Sequence, residues 1–481
     1  MLRSAGLACR SGARRQNRKI AGASDGGDYD VVVVGGGLVG GTVAALLRAQ
    51  PQLQHLKVAL IEPRVPKLDA FEHTWSTDET PPTLRCFAIN HASAAVLHQC
   101  GVWHSAMRTG RVTPYRDMIV VDDGNTGHLH WEAGEEGSLG HIAENDLLQQ
   151  LLLRRVLQSD VTLLETGVSD VHFARGQGTN GQPEKNTKTK DSRAHVELSD
   201  GSVLRTRLLV AADGANSPVK KALKIGGVQK HYVQKGVVCS LRMAPSDAPK
   251  TAFQRFTSTG ALGVLPCQRD FSSIVWSTSP AHADELLSLD NDEFLRHFNR
   301  AIRGHSDTWS PLPQELQRLV PYLFPPLSLD RYPEAVEVTS PRAAFPLRVL
   351  QATHYAESHV ALVGDAAHVI HPLAGQGVNL GIGDARRLVH CVNKAVQCGA
   401  SLGDASFLRA NYAEPSEARD AASLLGVDAV KGLFSSTSLD WLRGVGLDVI
   451  NNFPEVKNRF AQEAMWADAP AELRATAREF L

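Results

Sequence analysis

The stretch that decides the fold is Val360–Asp384, VALVGDAAHVIHPLAGQGVNLGIGD. Apolar Val360–Val363 runs into Gly364, which reads as a buried strand stopped by a turn. Asp365 then stands where the strand ends, so its carboxylate can reach out of a sheet toward a ligand. Gly375, Gly377, Gly381 and Gly383 follow, with Gln376 and Asn379 between them. A backbone so poor in Cβ atoms can approach a bound group closely. Beyond Asn379 the spacing turns helical, with Leu380, Asp384, Leu388, Cys391 and Val392 three or four apart. The whole reads as strand, carboxylate, glycine-rich turn and a helix whose N-terminus points back at the carboxylate. An ordinary strand–helix turn rich in glycine would look much the same in isolation.

Two further stretches repeat that logic. Tyr29–Val34 is a β-branched strand entering Gly35-Gly36-Gly37-Leu38-Val39-Gly40, and a helix is expected over Leu38–Ala49. Gly35, Gly37 and Gly40 satisfy GxGxxG: the first for a tight turn, the second for approach of a pyrophosphate, the third for close helix–strand packing. Free backbone N–H groups at the helix start would meet the anion. The next strand, Lys57–Ile61, ends in Glu62, placed to accept hydrogen bonds from both ribose hydroxyls. In mid-chain Arg207–Val210 leads to Ala211-Ala212-Asp213-Gly214, again a carboxylate at a strand end. Asp213 could equally be the N-cap of a helix at Pro218–Leu223, and both roles are compatible. Arg85 precedes a helix at Ala92–Gln99 with Asn90 as N-cap; it is either a phosphate clamp or a surface arginine.

Met118–Val121 and Leu129–Trp131 read as short strands. Glu144-Asn145-Asp146 is expected to cap a leucine-rich helix at Leu147–Leu157. From Tyr232 the texture changes to regularly spaced strands: Gly236–Leu241, Thr251–Phe256, Ala261–Leu265 and Ser273–Ser277, an antiparallel meander. A helix at Glu293–Ile302 and a proline-rich connection interrupt it, and Val336–Thr339 and Ala343–Leu347 lead back to the late glycine-rich stretch. The fold class is therefore α/β: a Rossmann-like dinucleotide domain, an interleaved antiparallel-sheet substrate domain and a helical C-terminus. The expected boundaries are a lead-in at 1–28, the nucleotide domain at 29–230 and 346–400, the antiparallel layer at 231–345 and helices over 401–481. A hairpin insertion at 175–193, without apolar anchors, reads as a disordered, solvated loop.

The 481 residues allow a large core and more than one domain. A net charge of −1 gives no whole-protein case for nucleic acid. Seven scattered cysteines without a CxxC argue against a disulfide framework and against a zinc site, so no metal is expected. No apolar run reaches the roughly 18 residues of a spanning helix. Met1–Lys19 is rich in arginine without an acid, which fits an organelle transit peptide or a basic tail. Leu433–Phe453 is unusually apolar and reads as a packed helical layer, a membrane-resting surface or an oligomer interface.

Together, GxGxxG, Asp213-Gly214 and Gly364-Asp365 resemble the three flavin fingerprints of the para-hydroxybenzoate hydroxylase-like monooxygenases. The run from His371 to Asp384 resembles the signature of the ubiquinone-biosynthesis hydroxylases, as do Leu84-Arg85, Gln254-Arg255-Phe256, Val275-Trp276-Ser277 and Phe345-Pro346-Leu347. The resemblance implies FAD as cofactor. Gly35, Gly37, Leu38, Val39 and Gly40 would hold its pyrophosphate and Glu62 its adenosine ribose. Arg85 would contact the pyrophosphate or ring edge, Gly364 and Asp365 the ribitol or pyrophosphate, and Asp213 FAD and reductant. Gly377, Val378 and Asn379 would present backbone to the isoalloxazine. Lys220 departs from the arginine of the DGxxSxxR pattern, which puts any nicotinamide contact in doubt. Ala413 and Pro415 disturb the family pattern after Tyr412.

The implied reaction is hydroxylation of a polyprenylated 4-hydroxybenzoate or related phenol by O₂ through a flavin C(4a)-hydroperoxide, with no catalytic base assigned. Implied partners are a ferredoxin and its reductase (or NADPH) as electron donor and other ubiquinone-biosynthesis proteins in a complex. The implied location is the mitochondrial inner membrane, peripheral on its matrix side. Rival readings are another FAD oxidoreductase, such as an alcohol or amine dehydrogenase, and a non-catalytic flavoprotein subunit.

Overall fold

The computed structural model describes residues 27–68, 71–75, 79–122, 128–134, 137–173, 193–246, 250–257, 260–304, 327–328, 331–371, 376–423, 465–466 and 469–477. Met1–Lys19, the insertion up to residue 192, the proline-rich connection, Pro372–Gly375 and Leu433–Phe453 lie outside them.

Asp28–Val34 is central in an eight-stranded sheet, flanked in parallel by Val203–Ala211 on one side and Val58–Ile61 on the other. Val360–Leu362 extends the sheet beyond Val203–Ala211, and Thr162–Leu164 extends it beyond Val58–Ile61. The register brings the C-terminal ends level: Val34 pairs with Ala211 and Ile61, and Ala211 with Leu362. Four chain segments therefore leave the sheet side by side, where ligands of open parallel sheets bind. Both faces of such a sheet must be covered, which explains the near-continuous Val/Leu/Ile runs. Leu38–Ala49 packs against Gly377–Cys398 and Asn145–Leu157, forming the main core with Leu46, Leu47, Leu152 and Leu388, each at most 1% exposed. The helix at Leu38–Ala49 has the expected bounds.

The second sheet has nine strands. Gly227–Met243 lies between Phe271–Thr278 and Ala343–Ala352, and Gly260–Pro266 and Thr251–Thr257 continue the meander. Two helices, Pro280–Ser288 and Asn291–Arg303, cover one face with Phe294, Phe298 and Ile302 fully buried. Two expectations are corrected. Asp117–Val121 and His128–Glu132, assigned above to the nucleotide domain, belong to this sheet through parallel pairing with Thr251–Thr257. The boundaries at 230/231 and 345/346 fall inside Gly227–Met243 and Ala343–Ala352. The early part of that ribbon, Gly227–His231, is exposed, so no burial alternation marks it as strand.

The opening segment joins the two sheets. Val360–Leu362 is a strand of the parallel sheet, while His368–Val369, six residues on, pairs with Leu350 and Gln351 of the antiparallel one. Glu144 also departs from expectation. It holds the N-cap position of Asn145–Leu157 without a side-chain cap, because its carboxylate instead accepts from Arg111 Nε at 2.7 Å and Thr83 N at 2.6 Å.

Candidate cofactor site

The glycines of the first turn divide by purpose. Gly35 has φ +102°, and a Cβ there would lie 2.4 Å from Ala212 O. At Gly40 a Cβ would lie 1.9 Å from Gly35 O, so these two serve the packing of helix on strand. A Cβ at Gly37 would meet nothing within 4 Å. Gly37 is the N-cap of Leu38–Ala49, has no side-chain cap, and no acid occupies the first turn. The helix thus presents uncapped N–H donors to open space, a ready anion cradle. Leu38 is buried, and Val39 wedges beneath Gly364 and Gly381, where added Cβ atoms would lie 2.9 and 2.6 Å from its Cγ2.

Glu62 is fixed before any ligand arrives. Its Oε2 accepts from Gly36 N at 2.7 Å and its Oε1 from Arg64 N at 2.9 Å, leaving further lone pairs for hydroxyl donors. Gln149, which sequence reasoning missed, donates from Nε2 to Gly36 O at 3.1 Å.

Asp213 and Asp365 stand two and three residues past their level strand ends. Ser217, not Asp213, is the N-cap of Pro218–Ala222, accepting from Lys220 N at 2.9 Å. Asp213 Oδ2 accepts from Val219 N at 3.1 Å, whereas its buried Oδ1 has no protein partner. Burial raises the Asp213 carboxyl above its ordinary range, against Ser217, Val219 and Lys220. Such an orphaned acceptor is the position a ligand hydroxyl would satisfy. Asp365 is open to solvent but sits in a cleft crowded enough that desolvation raises its pKa, opposed by His368, Arg85, Arg348 and Lys220. Arg85, just before the strand Cys86–Ile89, and Arg348, on Ala343–Ala352, therefore both direct positive charge toward Asp365. Lys220 Nζ donates to Ala366 O at 3.0 Å, so the residue that departs from the family arginine ties the mid-chain fingerprint to the late one. Burial lowers its pKa, with Asp213 opposing.

Gly377 and Val378 begin the long helix half-buried, behind a Gln376 N-cap without a side-chain bond. The side chain of Asn379 turns inward: its Oδ1 accepts from Asn90 N at 3.1 Å and its Nδ2 donates to Ala88 O at 2.9 Å. Only its backbone remains for a ligand. The Tyr232 ring packs edge-on against the buried His371 at 5.0 Å.

A glycine cradle at an uncapped helix start, a glutamate at the next strand end with lone pairs left for hydroxyl donors and an orphaned buried carboxylate oxygen fit an adenine dinucleotide laid across level strand ends. Residues 28–402 match the family described as FAD binding domain. The chain is 34% identical over 440 residues to the mitochondrial ubiquinone biosynthesis monooxygenase COQ6 of Xenopus tropicalis, spanning 90% of this chain and 92% of that protein. It is 33% identical over 455 residues to the human protein of that name, spanning 92% and 93%. The chain belongs to this family of FAD-dependent ubiquinone biosynthesis monooxygenases. Solved structures carry the same fold at low identity. The p-nitrophenol 4-monooxygenase PnpA of Pseudomonas putida superposes with a TM-score of 0.62 at 14% identity, over 91% of this chain and 98% of that one. The flavin-dependent brominase Bmp2 gives 0.61 at 13%, over 94% and 99%. A monooxygenase and a brominase on one fold show that the scaffold alone does not choose the chemistry.

Proposed function

We propose that the protein hydroxylates the aromatic ring of a polyprenylated 4-hydroxybenzoate or related phenol in ubiquinone biosynthesis, using FAD and O₂. The observation that carries this reading is the convergence of Gly35–Gly40, Asp213 and Asp365 on one row of strand ends, in a family of ubiquinone biosynthesis monooxygenases. Bound and reduced, FAD supplies the activation of O₂. The protein's part is binding, orientation and exclusion of water. Gly35, Gly37, Leu38, Val39 and Gly40 hold the pyrophosphate against the helix start, and Glu62 holds the ribose. Asp213, Gly364 and Asp365 receive the ribitol and inner phosphate, with Arg85 neutralising the anion. Gly377, Val378 and Asn379 present backbone at the head of a 22-residue helix. Its positive end favours negative charge on the flavin by on the order of 1 kcal/mol. The antiparallel sheet is the candidate surface for the phenol substrate, with Tyr232 packed edge-on against the buried His371 beside the glycine-rich segment.

Electrons reach the flavin from a ferredoxin and its reductase, with NADPH as the alternative donor. The protein works in the mitochondrion, peripheral to the inner membrane on the matrix side, with other ubiquinone-biosynthesis proteins. Among the described residues no helix is long and apolar enough to cross a membrane. The test is a single turnover of photoreduced holoenzyme with a polyprenylated 4-hydroxybenzoate under ¹⁸O₂. Label in the ring hydroxyl is expected; an unlabelled ring would sink the proposal.

A further inference from the structure

The residues after 413 look like packing in the sequence, yet they reach the cofactor loop. Glu417 Oε1 accepts from Tyr355 N at 2.7 Å, and Ser416 Oγ accepts from Arg387 Nε at 2.9 Å. Asp420 goes further. Its Oδ2 lies 3.3 Å from His368 Nε2, three residues beyond Asp365, and neither carboxylate oxygen has a hydrogen-bond partner. Asp420 and Asp384 are 0% exposed and His368 is 1% exposed.

Asp384, on Gly377–Cys398, is by contrast fully engaged. Its Oδ2 accepts from Gly364 N at 2.9 Å and lies 2.7 Å from His368 Nε2, and its Oδ1 accepts from Arg387 Nη2 at 2.7 Å. The Tyr355 ring stacks on the imidazole at 5.9 Å, and Tyr412, from the segment Arg409–Ala413, donates its hydroxyl to Leu362 O. Two buried carboxylates thus face one imidazole nitrogen, immediately beneath the loop that carries Gly364 and Asp365. Two buried anions beside each other are costly unless positive charge lies between them.

We propose that His368 and Asp420 are a positioning pair for the cofactor: an imidazolium at His368, held by Asp384 and Asp420, clamps the Gly364–Asp365 loop onto the helix Gly377–Cys398 and the helical stretch 414–423, and FAD affinity depends on that proton. The inference rests on FAD occupying this loop. His368 acts through the loop and does not touch the flavin.

The electrostatics agree with the geometry. Burial acts to lower the His368 pKa, but the Asp384 charge and hydrogen bond, with Asp420 and Asp365, outweigh it and raise it to about 9. Asp420 is pushed up to about 6 by burial, with His368, Arg387 and Arg419 holding it down against Asp384. FAD binds the folded apoprotein, so its affinity holds while His368 is protonated there and falls as pH rises through the raised value. The clamp is therefore intact at neutral pH and opens above about pH 9.

The test is the pH profile of the FAD dissociation constant, read by flavin fluorescence on reconstituting the full-length apoprotein, with circular dichroism of each variant confirming its fold. Wild type is expected to bind FAD with constant affinity near pH 7–8 and to lose about tenfold per pH unit once His368 deprotonates. Asp420→Asn removes one of the anions that support the imidazolium, so its alkaline limb moves to lower pH. His368→Gln, the second variant, binds FAD more weakly at neutral pH and lacks the limb. An Asp420→Asn profile superimposed on wild type, or a wild-type limb surviving in His368→Gln, overturns the proposal. So does a stoichiometric metal ion at the three side chains in the purified protein. Failure of wild type to bind FAD at any pH overturns the cofactor reading itself, which separates the two.

Discussion

The parallel and the antiparallel sheet present chemistry in different ways. At the parallel sheet, backbone and carboxylates are delivered at level strand ends: Gly37 faces open space, and Asp213 and Asp365 leave adjacent strands. These placements follow from hydrogen-bond register, so each motif constrains the next. At the antiparallel sheet, Tyr232 and Arg348 sit along a ribbon with a register shift between His231 and Lys235. Nothing local fixes what they face. On the proposed reading, the first sheet is a mould for one cofactor and the second a surface that can be redrawn for different substrates. That a monooxygenase and a brominase share this fold fits such a division.

Substitutions can break this contrast. The largest effect is expected at Gly40→Ala, whose Cβ would sit 1.9 Å from Gly35 O. Helix and strand could not seat together, and the purified protein should be both flavin-free and poorly folded by circular dichroism. Next comes Glu144→Gln, which leaves the 3% exposed Arg111 without its carboxylate. A loss of about 3–5 kcal/mol in denaturant titration is expected. Acid should act on the same strand, Gly140–Glu144, which pairs with Cys86–Ile89 and Thr113–Tyr115 in a separate three-stranded sheet. Burial first, and His91 second, lower His141 to about 3. Its contribution is full above the ordinary histidine value and is lost as pH falls from about 6.5 toward 3. By pH 5 the apoprotein should have lost roughly 2 kcal/mol that His141→Gln does not lose. Gly37→Ala sharpens the comparison, because its Cβ meets no protein atom. Thermal stability of the apoprotein should hold within about 1 kcal/mol, while FAD affinity falls at least severalfold. The smallest effect is expected on the ribbon: Val233→Ser, at an 84% exposed position, should leave stability within about 0.5 kcal/mol and flavin content unchanged.

What could be read in the sequence follows the same line. Gly35, Gly37, Gly40, Glu62 and Asp365 were legible because a turn, a helix start and a strand end are local events with local residue requirements. The helix Leu38–Ala49 and the Asn90 cap, which accepts from Ser93 N at 2.8 Å, were legible for that reason. Membership of Asp117–Val121 in the second sheet was not, since it depends on parallel pairing with Thr251–Thr257. Glu144 looked like a cap because its neighbours suggest one, but Arg111, distant in sequence, competes for the carboxylate and wins. Asp420 was invisible: an acid on a C-terminal helix has no signature of the histidine it meets 52 positions upstream.

The central claim is that the level strand ends hold FAD and that Asp365 is one of its anchors. The most direct measurement is the absorbance spectrum of purified wild type beside Asp365→Ala, with bound FAD quantified after denaturation. Yellow wild-type protein carrying one FAD per chain, and a folded but colourless variant, are the predicted results. A variant that retains its flavin at the wild-type ratio would contradict the claim.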